Sequence, residues 1–164
     1  AVIRRLQGFG GTVLAWNRTP KIMDGVQMVK LDELFVRSDI VSLHTAMTPE
    51  TTHIADRNRL SSMRAGAALI NTGRGLLVDE AALIDEVDAG RLNAGLDVFS
   101  IEPLRPGHPF LSQENVVLLP HVGSATASTR SAMVSRALEN LHAGMAGQAL
   151  PYCANPEVYP LSDS

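Results

Sequence analysis

The stretch Leu69-Ile70-Asn71-Thr72-Gly73-Arg74-Gly75 constrains this chain more than any other. An apolar run, Ala67 to Ile70, ends abruptly in a turn that holds two glycines and an arginine, and Val78-Asp79-Glu80 then opens an acidic-started helix. Glycine lets the backbone take positive φ or pass close to another group. A strand, a tight loop and a helix N-terminus in succession describe the carboxyl edge of an open α/β sheet, where such folds bind ligands. Arg74 in that loop is a planar, bidentate cation suited to a carboxylate or a phosphate. Alone, it reads more readily as a surface arginine in a βα turn.

The flanking sequence repeats the alternation. Val2, Ile3 and Leu6 have helical spacing, and Gly8, Gly10 and Gly11 end that helix. Thr12–Trp16 is a β-rich apolar run stopped by Asn17-Arg18-Thr19-Pro20, and residues 21–30 read as loop. Leu31–Val36 makes a short helix with Asp32 and Glu33 in its first turn, where they suit the helix dipole. Strand Ile40–Leu43 follows, then a turn at Thr48–Thr52, helix Asp56–Met63, strand Ala67–Ile70 and helix Asp79–Ala89 closed by Gly90. Strand Ala94–Val98, a proline-rich loop from Glu102 to Pro109 and strand Val116–Leu119 come next. A long helix from about Ala125 to Met145 sets Met133, Ala137, Leu138 and Leu141 on one face. Such alternation predicts a doubly wound parallel sheet wrapped by helices, in one domain at 164 residues.

A dinucleotide-binding fold opens on a strand and G-x-G-x-x-G. No segment fits: Gly8-Phe9-Gly10-Gly11 follows a helix, and position 13 is Val. The expected fold is therefore a Rossmann-like sheet without its first strand and Gly-rich loop, which leaves a sheet edge unpaired.

Three strand-end loops each offer one strong group: Arg74, Glu102 and His121. In a parallel sheet these ends share one edge, so residues far apart in sequence can converge there. Histidine exchanges a proton near neutral pH, and a carboxylate beside it fixes one tautomer and favours its charged form. A cationic clamp, a histidine acid and an orienting glutamate describe a site for reducing a 2-oxo acid. The arginine would hold the carboxylate, and the histidine would protonate the carbonyl oxygen as hydride arrives. Each residue alone has a plainer reading: His121 as a strand-end histidine, Glu102 as a turn charge, His44 as a neutral cap. His53, His108 and His142 lack partners at useful spacing and read as surface. No histidine, cysteine or carboxylate pattern has metal-ligand spacing, so no metal is expected.

Together these segments form a family pattern. Asn71-Thr72-Gly73-Arg74-Gly75, Val78-Asp79-Glu80-Ala81-Ala82-Leu83, Leu96-Asp97-Val98-Phe99 with Glu102-Pro103, and Leu119-Pro120-His121-Val122-Gly123-Ser124-Ala125-Thr126 resemble the D-2-hydroxyacid dehydrogenases, in order and spacing from about Thr12 to Tyr159. The resemblance implies that Arg74 binds the substrate carboxylate, that His121 is the acid/base and that Glu102 is its partner. It implies that Asp97 meets the nicotinamide carboxamide, with Thr72, Gly73, His44 and Gly123 also along the cofactor. Ala46 stands where the family carries proline. The segment around His121 and Asn140-Leu141 looks most like the glyoxylate and hydroxypyruvate reductase branch.

Cofactor choice is written at Asn17-Arg18-Thr19. A carboxylate at this strand end would accept the ribose hydroxyls of NAD. Asparagine there, with an arginine and a hydroxyl beside it, favours the 2′-phosphate of NADP over NAD. Residues 1–149 are expected to be an NAD(P)-binding domain, incomplete at its N-terminus, with 150–164 a surface tail toward a substrate domain. The partners expected are a small 2-oxo or 2-hydroxy acid and a second copy of the chain. A net charge of −3 and 4% aromatic residues point away from nucleic acid. No apolar stretch nears the roughly 20 residues of a membrane span. The lone Cys153 and the lack of a secretion leader point to the cytoplasm. The alternative is a catalytically inactive Rossmann-like fragment used for dimerisation or nucleotide binding. Arg74, Glu102 and His121 kept together in register argue against it.

Overall fold

The computed structural model describes residues 2–19 and 21–159. It divides into two compact units, Ala1–His121 and Val122–Ser164. In the first, helix α1 (Val2–Leu6) runs into a 3₁₀ turn at Gln7–Phe9, and Gly10, in the left-handed region at φ 73°, ends it. Strand β1 (Val13–Ala15) follows and pairs in parallel with β2 (Val26–Met28). The expectation of loop across 21–30 is thus corrected. Val26 and Met28 flank a single polar residue, a run too short to show a period, and β1 supplies the backbone partners that make it a strand.

The main sheet has four parallel strands in sequence order: β3 (Ile40–Leu43), β4 (Ala68–Asn71), β5 (Asn93–Leu96) and β6 (Val116–Leu118). Helices α2 (Leu31–Arg37), α3 (Arg57–Ser62) and α4 (Glu80–Asp88) connect and cover the strands. Asp56 and Asp79 cap the N-termini of α3 and α4, their carboxylates accepting the Arg59 and Ala82 amides, each such cap being worth about 1 kcal/mol. The core belongs to this sheet: Phe35, Leu60, Leu69, Leu77, Leu83, Leu92 and Phe110 are all buried. The register aligns Leu43, Asn71, Leu96 and Leu118 in one terminal row. The loops after these residues consequently leave the sheet along a single edge.

The two sheets are separate, and a cleft of about 850 Å³ is lined by both β1 and β3. Val13, Trp16, Phe35, Val41 and Ile70 are among its apolar walls. The edge left unpaired in the sequence-based reading is therefore a pair of edges facing an apolar cleft.

The second unit is built on α5 (Ala127–Met145), capped by Thr126. Met133, Leu138 and Leu141 on its apolar face are exposed. The Asn140 side chain holds the backbone of Tyr152 in both directions, at 3.1 and 3.0 Å, and Arg136 lies 5.0 Å over the Tyr152 ring. The tail is fastened to the helix through residue 152 and makes a 3₁₀ turn at Pro156–Val158. Its last five residues, 160–164, lie outside the described ones. No helix among the described residues is long and apolar enough to cross a membrane.

Candidate active site

Each strong group sits just past the terminal row of the main sheet. After β4, the buried Asn71 side chain shapes the turn: its amide donates to the Arg74 carbonyl at 2.8 Å, and its oxygen accepts the Gly73 amide at 3.0 Å. Arg74 itself is extended, and its exposed guanidinium donates to the Gly73 carbonyl at 2.7 Å. Gly75 passes so near the next loop that a Cβ would lie 2.0 Å from the carbonyl carbon of Phe99. No side chain fits there, which explains the second glycine of the motif. A short parallel pairing braces this segment from the other side. The His53 and Ala55 amides donate to the Leu76 and Leu77 carbonyls at 2.8 and 3.0 Å.

After β5, Asp97 is buried and its backbone carbonyl accepts the His121 amide at 2.9 Å. Glu102 folds back so that one carboxylate oxygen accepts the Phe99 amide at 3.0 Å. The other oxygen is 2.8 Å from Nδ1 of His121. The peptide between Glu102 and Pro103 is cis. An ionised carboxylate only accepts, so Nδ1 carries the proton and Nε2 is the ring atom that remains for a substrate. The hydrogen bond from His121 is the largest cause holding the Glu102 carboxyl below the usual value of 4.5. The Phe99 amide adds to it, partial burial opposes it, and the charges of His121 and Arg74 contribute less. His121 has φ 55°, in the left-handed region. A non-glycine residue is held there at a cost of order 1–3 kcal/mol, a feature that gathers at functional sites.

The three groups read from sequence thus belong to one edge: Glu102 and His121 in direct contact, Arg74 near enough to act on Glu102 through its charge. His44 follows β3, its ring 2.8 Å from the Ser42 hydroxyl. Thr72 is exposed and Gly73 half-buried in the β4 turn, while Gly123 lies in the opening turn of the second unit. Asn17, Arg18 and Thr19 follow β1, exposed, with the Asn17 amide donating to the Thr19 carbonyl at 2.7 Å.

These three residues and His44 line the 850 Å³ cleft together with Thr45. The Thr45 hydroxyl is buried and has no hydrogen-bond partner among the described residues. Such an orphan is rare in a finished interior and marks a place for a polar ligand or water. No carboxylate stands at positions 17–19 to repel a phosphate. The cleft therefore fits a phosphorylated nucleotide.

Asn71 carries a signal beyond its motif, since an Asn two residues before a glycine makes turns. His108, expected on the surface, is instead largely buried and paired. Its Nε2 is 3.3 Å from Glu80, and its Nδ1 accepts the Phe110 amide at 3.3 Å. The partner lies 28 residues away, beyond any local spacing rule.

The chain is similar to known proteins in sequence and in fold. Residues 1–123 match the family model described as D-isomer specific 2-hydroxyacid dehydrogenase, NAD binding domain. A glyoxylate reductase of Korarchaeum cryptofilum is 42% identical over 163 residues, covering 96% of this chain and 49% of the relative. A crystal structure of a protein from Thermus thermophilus superposes with a TM-score of 0.87 at 46% identity, covering 92% of this chain and 48% of that one. The NADPH-dependent glyoxylate/hydroxypyruvate reductase of Sinorhizobium meliloti, in complex with NADP and malonate, gives a TM-score of 0.87 at 35% identity, covering 94% and 49%. The chain spans about half the length of the curated relatives it matches.

Proposed function

The chain belongs to the D-isomer specific 2-hydroxyacid dehydrogenase family, and we propose on that premise that it reduces a small 2-oxo acid such as glyoxylate or hydroxypyruvate. The observation that carries the reading is the hydrogen-bonded Glu102–His121 pair on the same sheet edge as Arg74. The bound nicotinamide cofactor supplies the hydride. Arg74 binds the substrate carboxylate through its planar fork of donors. His121, held by Glu102 at Nδ1, gives its Nε2 proton to the carbonyl oxygen and recovers it in the reverse direction. Glu102 stabilises the imidazolium form that begins the reduction. Acid–base help of this kind contributes roughly 10²–10⁴-fold. The relatives from Korarchaeum and Sinorhizobium support the choice of substrate class, the latter also through its bound malonate.

Thr72, Gly73, Asp97, His44 and Gly123 would hold the nicotinamide cofactor, and Asn17, Arg18 and Thr19 would hold its adenosine end. Arg18 favours NADP over NAD. By this reading residues 1–149 belong to the cofactor domain and residues 150–164 to a connection with a substrate domain. The chain pairs with a second copy and works in the cytoplasm, where a single free cysteine, Cys153, is at home.

Calorimetric titration of the chain with NADPH and with NADH tests this reading. NADPH binds the more tightly, and Arg18→Ala weakens it about tenfold, equivalent to about 1.4 kcal/mol, while leaving NADH within about twofold. Absence of binding by either nucleotide overturns the cofactor site. Equal weakening of both overturns the role of Arg18. Consumption of NADPH on adding glyoxylate or hydroxypyruvate, abolished in His121→Ala, tests the chemistry itself.

A further inference from the structure

Glu80, the first residue of α4, uses both carboxylate oxygens on one loop. One accepts the Ser100 amide at 3.1 Å, and the other is 3.3 Å from Nε2 of His108. Between those two points lies the Glu102 segment. His108 is itself fixed: its Nδ1 accepts the Phe110 amide, its ring stands 5.1 Å from the Phe110 ring, and Phe110 is buried. Because Nδ1 accepts, Nε2 must carry the proton and donate to Glu80. The loop from Phe99 to Phe110 is therefore tied twice to the start of α4. The Gly75 backbone packs against its first residues, Phe99 and Ser100. Phe99 and Phe110 at the ends of the loop are buried and Leu104 packs on the core, while Ile101, Glu102 and Pro103 between them are exposed.

We infer that Glu80 is a positioning residue: with His108 it clamps the two ends of this loop and so sets where Glu102 meets His121. This rests on the reading of Glu102 and His121 as a working pair. It differs from it in assigning the pair's geometry to a carboxylate that touches neither of them. An exposed stretch between apolar anchors wanders unless polar ties hold it, and ties to a charged acceptor are among the stronger ones.

The readout is the side-chain nitrogen spectrum of His121, recorded in alkaline solution. A free neutral imidazole carries its proton mainly on Nε2, so a proton on Nδ1 reports the bond to Glu102. The wild-type chain shows the Nδ1–H pattern. Glu80→Ala loses it to an average of the two tautomers, while the amide spectrum of the main sheet keeps its dispersion. Glu80→Gln, whose single acceptor oxygen can serve one of the two donors, restores part of the pattern. Should Glu80→Ala not fold, His108→Ala decides, since it removes only one tie and is expected to lose part of the pattern. An unchanged His121 spectrum in whichever of these variants folds overturns the inference. A wild-type chain without the Nδ1–H pattern overturns the Glu102–His121 pair itself, and the clamp falls with it.

Discussion

The four-stranded sheet and the two-stranded sheet do different work with different support. The larger sheet carries Arg74, Glu102 and His121, and nearly every buried apolar side chain packs on it, from Phe35 to Phe110. The smaller one carries Asn17, Arg18 and Thr19, and of residues 2–19 and 21–30 only Val13 is buried. In the proposed reaction, proton transfer demands that donor and acceptor hold within a fraction of an ångström, and His121 and Glu102 hang from strand ends that a dense core supports. The proposed choice between a phosphate and a hydroxyl demands only that a charge be in reach, which an exposed strand end supplies. The contrast teaches that the packed core lies under the proposed chemistry and not under the proposed cofactor selection.

Truncations in the two sheets test that contrast most severely. Leu69→Ala in β4, at a fully buried position, is expected to cost about 3 kcal/mol, from the 2–5 range for buried leucines. Val13→Ala in β1 is expected to cost about 1 kcal/mol, since fewer buried methyl groups are lost there. Urea unfolding of both variants measures the difference, and equal costs would break the comparison. Gly75→Ala comes next. Its Cβ would meet the Phe99 backbone at 2.0 Å, and overpacking of this kind costs about 2 kcal/mol. Unfolding measures that cost, and a displaced Glu102–His121 pair is expected in the amide spectrum.

The smallest effect sharpens the chemistry rather than the core. His121 and the Phe99 amide hold the Glu102 carboxyl below 4.5. A group whose folded value is depressed adds stability above its unfolded value and loses it as pH falls through the folded one. Glu102 therefore stays charged below pH 4.5, and its contribution disappears only in more acidic solution. Carboxyl-carbon titration of the folded chain is expected to give a value under 4.5 that returns toward it in His121→Ala. Arg74→Ala is expected to move it less, because the arginine charge is the smallest of the named causes. A larger shift in Arg74→Ala would reverse the order of the two partners.

Much of this was legible along the chain. Asp56 and Asp79 announced helix starts, and Leu69-Ile70-Asn71 followed by Thr72-Gly73-Arg74-Gly75 announced a strand and a tight turn. Both are local signals, carried by residues that act on neighbours three or four positions away. The placement of Arg74, Glu102 and His121 at one edge also followed, because parallel strands put all their carboxyl ends on the same side. Residues 26–28 were not legible. A three-residue strand has no period of its own and exists only because β1 offers it a ladder.

The same limit hid His108 and the tie from Glu80. Their meeting depends on α4 and the loop after β5 folding over the same stretch of sheet, and no spacing in the sequence encodes that distance. By itself the sequence determined the alternation of strands and helices and the edge that Arg74, Glu102 and His121 share, since both follow from nearest-neighbour propensity and chain direction. Tertiary structure alone decided which hydrogen bonds those groups make. The Nδ1 tautomer of His121, the depressed Glu102 carboxyl and the crowding at Gly75 all arise where chain segments distant in sequence come within bonding distance.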